Sequence, residues 1–407
     1  MPDTLAMIKV LNSLQGTGIA VFPERCVVVR NRNAHCRRCA EVCDTGAISF
    51  DDGGSVGLTI DAEKCVSCGN CTSSCPTTAL EARNPDDAEL LRYATELIRE
   101  RGLAPVFACK PLLDTQRDGY DRSRVIEVGC LGRVEETELV ALAALVASCA
   151  DALYLAYGDC MSCPLASGRL SADCMAHTTE LLLEAWGYAS PLRTCEGLPT
   201  SVVLDSRTSR HTEDVDGLSR RDFFAQLKEG AKAMATHAAS NAIGNEEAAV
   251  APISSVTKVS NDGTLPQLVP HRHARLLEYL RFIGRPQAEF LDTRLWGCLS
   301  IDISTCTSCR MCATFCPTGA ISRFDDPGPQ GEMGIEHRPA ACVQCRLCED
   351  ICPSKALSIR SEVSLRELVG RKAVRFVMRP PRYRLNSPDQ IRQRMYDLLG
   401  GGQIYER

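Results

Sequence analysis

The cysteines of this chain fall in tight, repeated runs near its two ends. A doubled run reads Cys306-x2-Cys309-x2-Cys312-x3-Cys316-Pro317, then Cys342-x2-Cys345-x2-Cys348-x3-Cys352-Pro353. A near-copy extends from Cys36 to Pro76. Thiolate sulfur is a soft ligand that suits iron–sulfur clusters and zinc. Structural zinc sites use paired CxxC knuckles separated by longer loops, so the spacing here favours iron–sulfur clusters.

Length and composition narrow the class of protein. With 407 residues and 24 cysteines, the chain is too long for a small disulfide-stabilised secreted domain. Its first residues lack the pattern of a signal peptide, and no segment approaches the ~18 apolar residues of a membrane helix. We therefore expect a cytoplasmic protein with reduced thiols and no transmembrane segment. The net charge of −5 gives no indication of nucleic-acid binding.

The C-terminal run resembles the bacterial dicluster ferredoxins, which hold two [4Fe–4S] cubes in one small fold. In that family the fourth cysteine of each run crosses over to the other cube. The short segments after Pro317 and Pro353 have the turn-and-strand pattern of the same family. The resemblance implies one cube on Cys306, Cys309, Cys312 and Cys352, and a second on Cys342, Cys345, Cys348 and Cys316.

The N-terminal run lacks one cysteine of this pattern. Asn33 stands where the first cysteine is expected, and Asp44 replaces the usual proline. By the same resemblance, a complete cube is implied on Cys65, Cys68, Cys71 and Cys43. The other cube has three implied ligands, Cys36, Cys39 and Cys75.

Three residues are candidates for the missing ligand. Cys26 lies ten positions before Cys36 and completes the set through an enlarged loop. His35 offers an imidazole, whereas Asn33 leaves one iron open. We favour Cys26, although Cys298 stands in a similar place before a run that already has all its cysteines, and there it suits a small buried apolar residue.

Between the two cysteine-rich modules, short apolar runs alternate with helical segments. Strands are predicted at Pro105–Ala108, Val125–Val128, Leu153–Ala156 and Val202–Leu204. Helices are predicted at Glu89–Glu100, Glu135–Ala147, Thr178–Trp186 and Ser219–Lys228. This alternation predicts a parallel sheet covered by helices.

Four cysteines of the middle region follow predicted strands. Cys109, Cys130 and Cys160 each come shortly after an apolar run, with Cys163 close behind. Because ligands gather at the carboxyl ends of parallel strands, we expect these four thiols to converge. The sequence pattern indicates no role for Cys174 or Cys195.

The segments Val125–Glu135 and Tyr157–Cys163 resemble the delta subunit of methyl-viologen-reducing hydrogenase. The resemblance covers roughly residues 103–205, and only Cys109 matches the early cysteine-rich segment of that family. The family is a small α/β domain with a [2Fe–2S] cluster, and it links a hydrogenase or formate dehydrogenase to heterodisulfide reductase. It implies a [2Fe–2S] cluster on the four thiols of the middle region. Zinc, or thiols that are merely buried, are the alternatives.

These patterns predict an α+β multidomain protein, with two ferredoxin-like dicluster modules around a central α/β parallel-sheet domain. The predicted segments are an N-terminal module at 1–84, the central domain at 85–233, a linker at 234–270, a helix with the C-terminal module at 271–363, and a basic tail at 364–407. The tail has ten Lys or Arg and four Asp or Glu. That excess is typical of a solvated helix or of a docking surface for an acidic partner.

The expected function is electron transfer in an anaerobic oxidoreductase complex. The sequence has no Walker A motif, no GxGxxG loop after a strand and no acid–base triad. We expect a non-catalytic subunit with four [4Fe–4S] clusters and one [2Fe–2S] cluster. It relays electrons between a partner dehydrogenase or hydrogenase and a heterodisulfide-reductase-like partner. The alternative is an enzyme whose substrate binds at an incompletely ligated cluster.

Overall fold

The computed structural model of the protein describes residues 18–51, 57–83, 85–116, 119–146, 152–204, 265–327 and 331–379. Within these ranges, no helix has the length and apolar character needed to cross a membrane. The predicted helix Ser219–Lys228, most of the predicted linker, Cys149 and most of the basic tail lie outside the described residues.

Two antiparallel strand pairs, with short helices between them, make up the N-terminal module. Its strands are β1 (Ile19–Val21), β2 (Ile48–Asp51), β3 (Gly57–Ile60) and β4 (Leu80–Ala82). Its helices are α1 (Val27–Arg30), α2 (Arg38–Glu41) and α3 (Asn70–Ser74). Strand β1 pairs with β4, and β2 pairs with β3. The small core consists partly of the cysteines themselves, packed with residues such as Leu58 and Leu80.

The central domain contains a sheet of four parallel strands in the order β6-β5-β7-β8. The strands are β5 (Val106–Cys109), β6 (Val125–Val128), β7 (Leu153–Tyr157) and β8 (Leu192–Glu196). The helices are α4 (Asp87–Arg101), α5 (Lys110–Gln116), α6 (Glu136–Val146) and α7 (Ser167–Ala185). Helix α4 begins after Asp86, which forms a capping box with Glu89. The parallel sheet with its helices is therefore confirmed.

The predicted strand Val202–Leu204 is wrong. The fourth strand of the sheet is β8, which pairs with β7 from Leu153 opposite Leu192. Val203 makes only an isolated antiparallel bridge to Tyr120. Strand β8 lies at the edge of the sheet and is largely exposed, so it lacks the apolar run on which the prediction relied.

The C-terminal module repeats the N-terminal layout and adds to it. Its strands are β9 (Phe290–Asp292), β10 (Cys298–Ile301), β11 (Ile321–Asp325), β12 (Met333–His337), β13 (Leu357–Arg360), β14 (Glu362–Ser364) and β15 (Val374–Met378). Its helices are α8 (His271–Ile283), α9 (Met311–Phe315), α10 (Leu347–Asp350) and α11 (Leu365–Gly370). The pairs β10–β13 and β11–β12 correspond to β1–β4 and β2–β3. Strand β15 extends one sheet, and β9 pairs with β14.

Helix α8 packs the C-terminal module against the central domain. Leu276, Leu277 and Leu280 of α8 share a buried cluster with Val140 of α6 and Leu182 of α7. Each of these side chains is almost fully buried, and the burial of one leucine stabilises a contact by roughly 1.5–3 kcal/mol. The apolar face of this helix therefore forms a contact between two modules.

A buried ionic cluster lies where the three modules meet. Arg272 of α8 forms an ion pair with Glu135, and its Nη2 lies 3.6 Å from Oδ2 of Asp87. Nη1 of Arg272 also donates to the carbonyl oxygen of Thr72 at 3.1 Å, within the N-terminal module. Burial raises the pKa of Glu135, and the guanidinium of Arg272 opposes that rise. One side chain therefore contacts all three modules.

Removal of the Arg272 side chain is expected to destabilise the protein. Arg272→Ala leaves the buried Glu135 without this cation, which should lower the free energy of unfolding by ~3–5 kcal/mol. Anaerobic urea unfolding followed by circular dichroism measures the change. Glu278→Ala is the control, because Glu278 is exposed on the same helix and its loss should cost less than ~0.5 kcal/mol. Equal losses in both variants would contradict a role for the buried cluster.

Candidate iron–sulfur centres

In the C-terminal module, the last cysteine of each run faces the first three cysteines of the other. Cys352 is close enough to Cys312 to raise its pKa, and Cys316 acts in the same way on Cys342 and Cys348. Burial is the larger cause, and it raises the pKa values of Cys312 and Cys342 to about 12. The structure thus brings together the two ligand sets that the sequence predicts for this module.

The N-terminal module has the same crossed arrangement. Cys43 lies beside Cys68 and Cys71, whereas Cys75 lies beside Cys39. Burial is again the main cause that raises the thiol pKa values, and the neighbouring sulfurs add to it. Because several thiolates cannot share a buried site without a compensating cation, these sets suit a metal cluster that binds them in the deprotonated form.

A hydroxyl group lies near the sulfur of each crossing cysteine. In every case it belongs to the residue two positions further along the chain. The sulfur–oxygen distances are 3.5 Å for Cys43 and Thr45, 3.8 Å for Cys75 and Thr77, 3.9 Å for Cys316 and Thr318, and 3.7 Å for Cys352 and Ser354. Hydrogen bonds to the sulfurs are one of the means by which a protein tunes cluster potentials.

Cys26 occupies the place in its module that Cys306 occupies in the other. Val21 pairs with Leu80 in the same way that Ile301 pairs with Leu357. Cys26 lies five positions after Val21, and Cys306 lies five positions after Ile301.

The extra residues after Cys26 form the short helix α1. Ten positions separate Cys26 from Cys36, whereas three separate Cys306 from Cys309. Cys26 is buried. Burial is the main cause that raises the pKa of its thiol to about 11, and the nearby sulfurs of Cys75 and Cys36 add to the rise. Its placement supports Cys26 as the fourth ligand of this set.

The other candidates for this position lie elsewhere. Asn33 is exposed, and the imidazole Nδ1 of His35 lies 3.3 Å from Oδ1 of Asp350 with most of the side chain in solvent. Cys298 is not the counterpart of Cys26, because it belongs to strand β10 opposite Arg360 and corresponds to Gly18 in the N-terminal module. The expected similarity between Cys298 and Cys26 is therefore wrong.

The four candidate thiols of the central domain line one pocket. Cys109 ends β5, Cys130 follows β6, and Cys160 and Cys163 follow β7. The wall of this pocket is largely apolar and includes Leu155. The predicted convergence at the carboxyl edge of the sheet is thus observed. Burial raises the pKa of Cys130 to about 12, and the sulfurs of Cys68 and Cys109 act in the same direction.

Asp159 shapes the loop that carries two of these thiols. Its carboxylate accepts hydrogen bonds from the backbone N–H groups of Met161 and Ser162 at 3.0 and 3.3 Å. The hydroxyl of Ser162 also donates to Asp159 at 2.6 Å. Cys174 is exposed, and the thiol of Cys195 donates to the carbonyl oxygen of Gly197 at 3.4 Å. Neither of these two cysteines lines the pocket.

Neighbouring ligand sets are close enough to act on one another across module boundaries. Cys68 of the N-terminal module adds to the rise in the pKa of Cys130 in the central domain. Cys36 of the N-terminal module adds to the rise in the pKa of Cys345 in the C-terminal module. Within the modules, Cys71 acts in this way on Cys39, and Cys312 on Cys348. The five sets therefore form a line of neighbours, with the central set at one end.

Comparison with known proteins agrees with the two terminal modules. Residues 34–79 and 305–356 match the family described as the 4Fe-4S dicluster domain. Both segments are therefore 4Fe-4S dicluster domains, and the chain has an iron–sulfur electron-transfer role. A search among curated proteins found no match for this chain. The matched segments include neither Cys26 nor the central thiols, so those ligands stay predictions.

Two residues whose importance the sequence prediction missed lie between the N-terminal module and the central domain. Oδ2 of Asp44 accepts hydrogen bonds from the backbone N–H and the hydroxyl of Ser167, at 3.0 and 2.7 Å, where helix α7 begins. Asp44 thus replaces the expected proline in order to cap a helix of another module. Asn70 has its side chain buried beside Gly132 and Gly168.

Substitution of Cys26 tests whether it binds iron. Cys26→Ser is expected to remove or convert one cube, because serine replaces the thiolate at the position equivalent to Cys306. Iron analysis and paramagnetic resonance of the anaerobic protein measure the loss. Cys298→Ser is the matched control and should leave every cluster intact. The same spectrum from both variants would contradict the assignment of Cys26 as a ligand.

Proposed function

We propose that the protein relays electrons between two redox partners through five iron–sulfur centres: four [4Fe–4S] cubes and one [2Fe–2S] centre in the central domain. Iron–sulfur clusters supply one-electron oxidation and reduction, and the protein supplies spacing, burial and docking surfaces. The closeness of neighbouring ligand sets is the observation that carries this proposal. Electron tunnelling slows steeply with distance, so adjacent sets provide a continuous route.

Each end of the line has sulfur ligands that a partner can approach. Cys309, in the last set of the C-terminal module, is exposed, and Cys160 and Cys163 are half-buried at the other end. This exposure supports one partner at each end of the line.

The central end offers a docking surface for one partner. Met161 lies between two of the candidate ligands with 94% of its surface exposed. Asp159 and Glu196 line the open side of the pocket beside it. An exposed methionine within an acidic rim suits a partner with an apolar recess and basic residues around it. In the hydrogenase-delta family such partners are hydrogenase, formate dehydrogenase or heterodisulfide reductase subunits, and we propose partners of these classes here.

The alternative, an enzyme with a substrate at an incompletely ligated iron, has less support. It required the first N-terminal cube to lack a protein ligand. The placement of Cys26 beside Cys36 and Cys75 provides a fourth thiol for that cube. The central pocket likewise has four thiols rather than three. Both sites therefore favour electron transfer over substrate binding.

Iron content tests the number of centres. Protein prepared anaerobically is expected to contain about sixteen irons in cubes and about two more in the central domain, by cluster stoichiometry. Chemical iron and sulfide analysis, together with metal analysis for zinc, gives the values. Zinc as the main metal, or fewer than about eight irons after full reconstitution, would contradict the four-cube proposal. If only the two irons of the central domain were absent, the proposed [2Fe–2S] centre would be contradicted and the four cubes would not.

Catalytic tests separate the relay from the enzyme. The isolated chain is expected to accept electrons from a strong artificial donor and pass them to methyl viologen. It should oxidise neither hydrogen nor formate, since it has no nucleotide loop and no acid–base constellation. Anaerobic assays with each substrate measure this. Oxidation of hydrogen or formate by the isolated chain, at a rate that Cys36→Ser or Cys130→Ser abolishes, would replace the relay by the enzyme.

A further inference from the structure

Asn70 carries a buried amide whose place in the fold suggests a role. It lies between Cys68 and Cys71 of the N-terminal module and is only 1% exposed. Among the described residues, neither its amide oxygen nor its amide nitrogen has a hydrogen-bond partner. A buried amide without a hydrogen-bond partner lowers the free energy of unfolding by ~1–3 kcal/mol. A hydrogen-bond acceptor beside this amide would remove that cost.

The amide faces the sulfur of Cys130 in the central domain. A methyl group at Gly168 would lie 2.1 Å from Sγ of Cys130 and 2.9 Å from Nδ2 of Asn70, so both atoms border the same small space. A methyl group at Gly132 would lie 2.5 Å from Oδ1 of Asn70. The two glycines therefore give the amide its access to the central thiol. Burial is the main cause that raises the pKa of Cys130, and the backbone N–H of Gly132 and the Asn70 side chain oppose that rise.

The loop that carries Asn70 differs from its three counterparts in this chain. The two residues between the second and third cysteines are Gly69-Asn70 here, and Arg37-Arg38, Arg310-Met311 and Arg346-Leu347 in the other runs. A Cβ atom at Gly69 would lie 2.6 Å from Cγ of Arg133, which leaves no room for a side chain. This run lies against the segment that carries Cys130, so its departures from the other runs coincide with that junction.

We propose that Asn70 is a positioning residue that donates its amide N–H to the Cys130 sulfur and raises the reduction potential of the central centre. The inference rests on the proposed function, because it requires Cys130 to bind iron. A donor to a thiolate ligand stabilises the more negative, reduced state of a cluster. The same side chain belongs to the loop of the neighbouring cube, so it fixes the two centres relative to each other.

Asn70→Leu tests this role. Leucine has a similar size, stands at the equivalent position as Leu347, and has no N–H to donate. We expect the central centre to shift to a lower reduction potential in anaerobic titrations followed by paramagnetic resonance. One exchangeable-proton coupling at this centre should disappear as well, whereas the couplings to the backbone N–H groups of Gly132 and Leu165 and the potentials of the two C-terminal cubes should stay unchanged. A variant with unaltered potential and proton coupling at the central centre would overturn the proposal.

Ser73→Ala is the matched control for packing. The hydroxyl of Ser73 donates to the carbonyl oxygen of Gly132 at 2.5 Å, so it joins the same two segments through an atom that is not a ligand. We expect this variant to keep the potential and the proton coupling of the wild type. An equal shift in Ser73→Ala and Asn70→Leu would overturn the proposal, since loosened packing alone would then explain both.

The wild-type protein provides a test that needs no variant. Protein labelled with ¹⁵N in asparagine side chains should show a weak ¹⁵N coupling at the central centre. If Asn70→Leu fails to hold the central centre, the absence of this ¹⁵N coupling in the wild type would overturn the proposal. Wild-type protein without the two irons of the central domain would overturn the central centre and this inference together. Iron present without the ¹⁵N coupling would overturn the inference alone.

Discussion

The structure depends on the burial of many thiols close to one another. Burial and mutual repulsion both raise the pKa values of these thiols, as at Cys39, Cys71 and Cys348. Iron reverses that balance, because it binds thiolates and neutralises their charge. The cores of the terminal modules consist partly of these same cysteines. We therefore expect folding of each module to be coupled to metal binding.

The two dicluster modules share one layout, and they differ mainly where they contact other parts of the chain. The helix inserted after Cys26 carries Arg30, whose Nη2 donates to the carbonyl oxygen of Pro266 at 2.6 Å. Asp44 replaces a proline and caps helix α7 of the central domain. Gly69 and Asn70 replace bulky residues beside Arg133. Such departures from the repeat thus coincide with contacts between modules.

Much of this arrangement could be predicted from the sequence, because it depends on residues that lie close together in the chain. The crossed ligand sets follow from cysteine spacing, and strands β5, β6 and β7 follow from buried apolar runs. Strand β8 could not be found in this way, because an exposed edge strand has no apolar run. The roles of Asp44 and Asn70 depend on partners more than fifty residues away. Their only trace in the sequence is a departure from the repeat, which becomes visible when the four cysteine runs are compared.

The order of the centres in space differs from their order along the chain. The central domain lies between the two modules in sequence, yet its thiols stand at one end of the line, and the N-terminal module occupies the middle. This arrangement requires contacts between all three pairs of modules. Ser73 contacts Gly132, Arg38 donates to the carbonyl oxygen of Gln344 at 3.0 Å, and Arg294 pairs with Glu136 at 2.7 Å. Because the contacts form a closed set, a shift at one junction would strain the other two. Mutual packing of this kind holds the neighbouring sets at fixed separations, which the proposed relay requires.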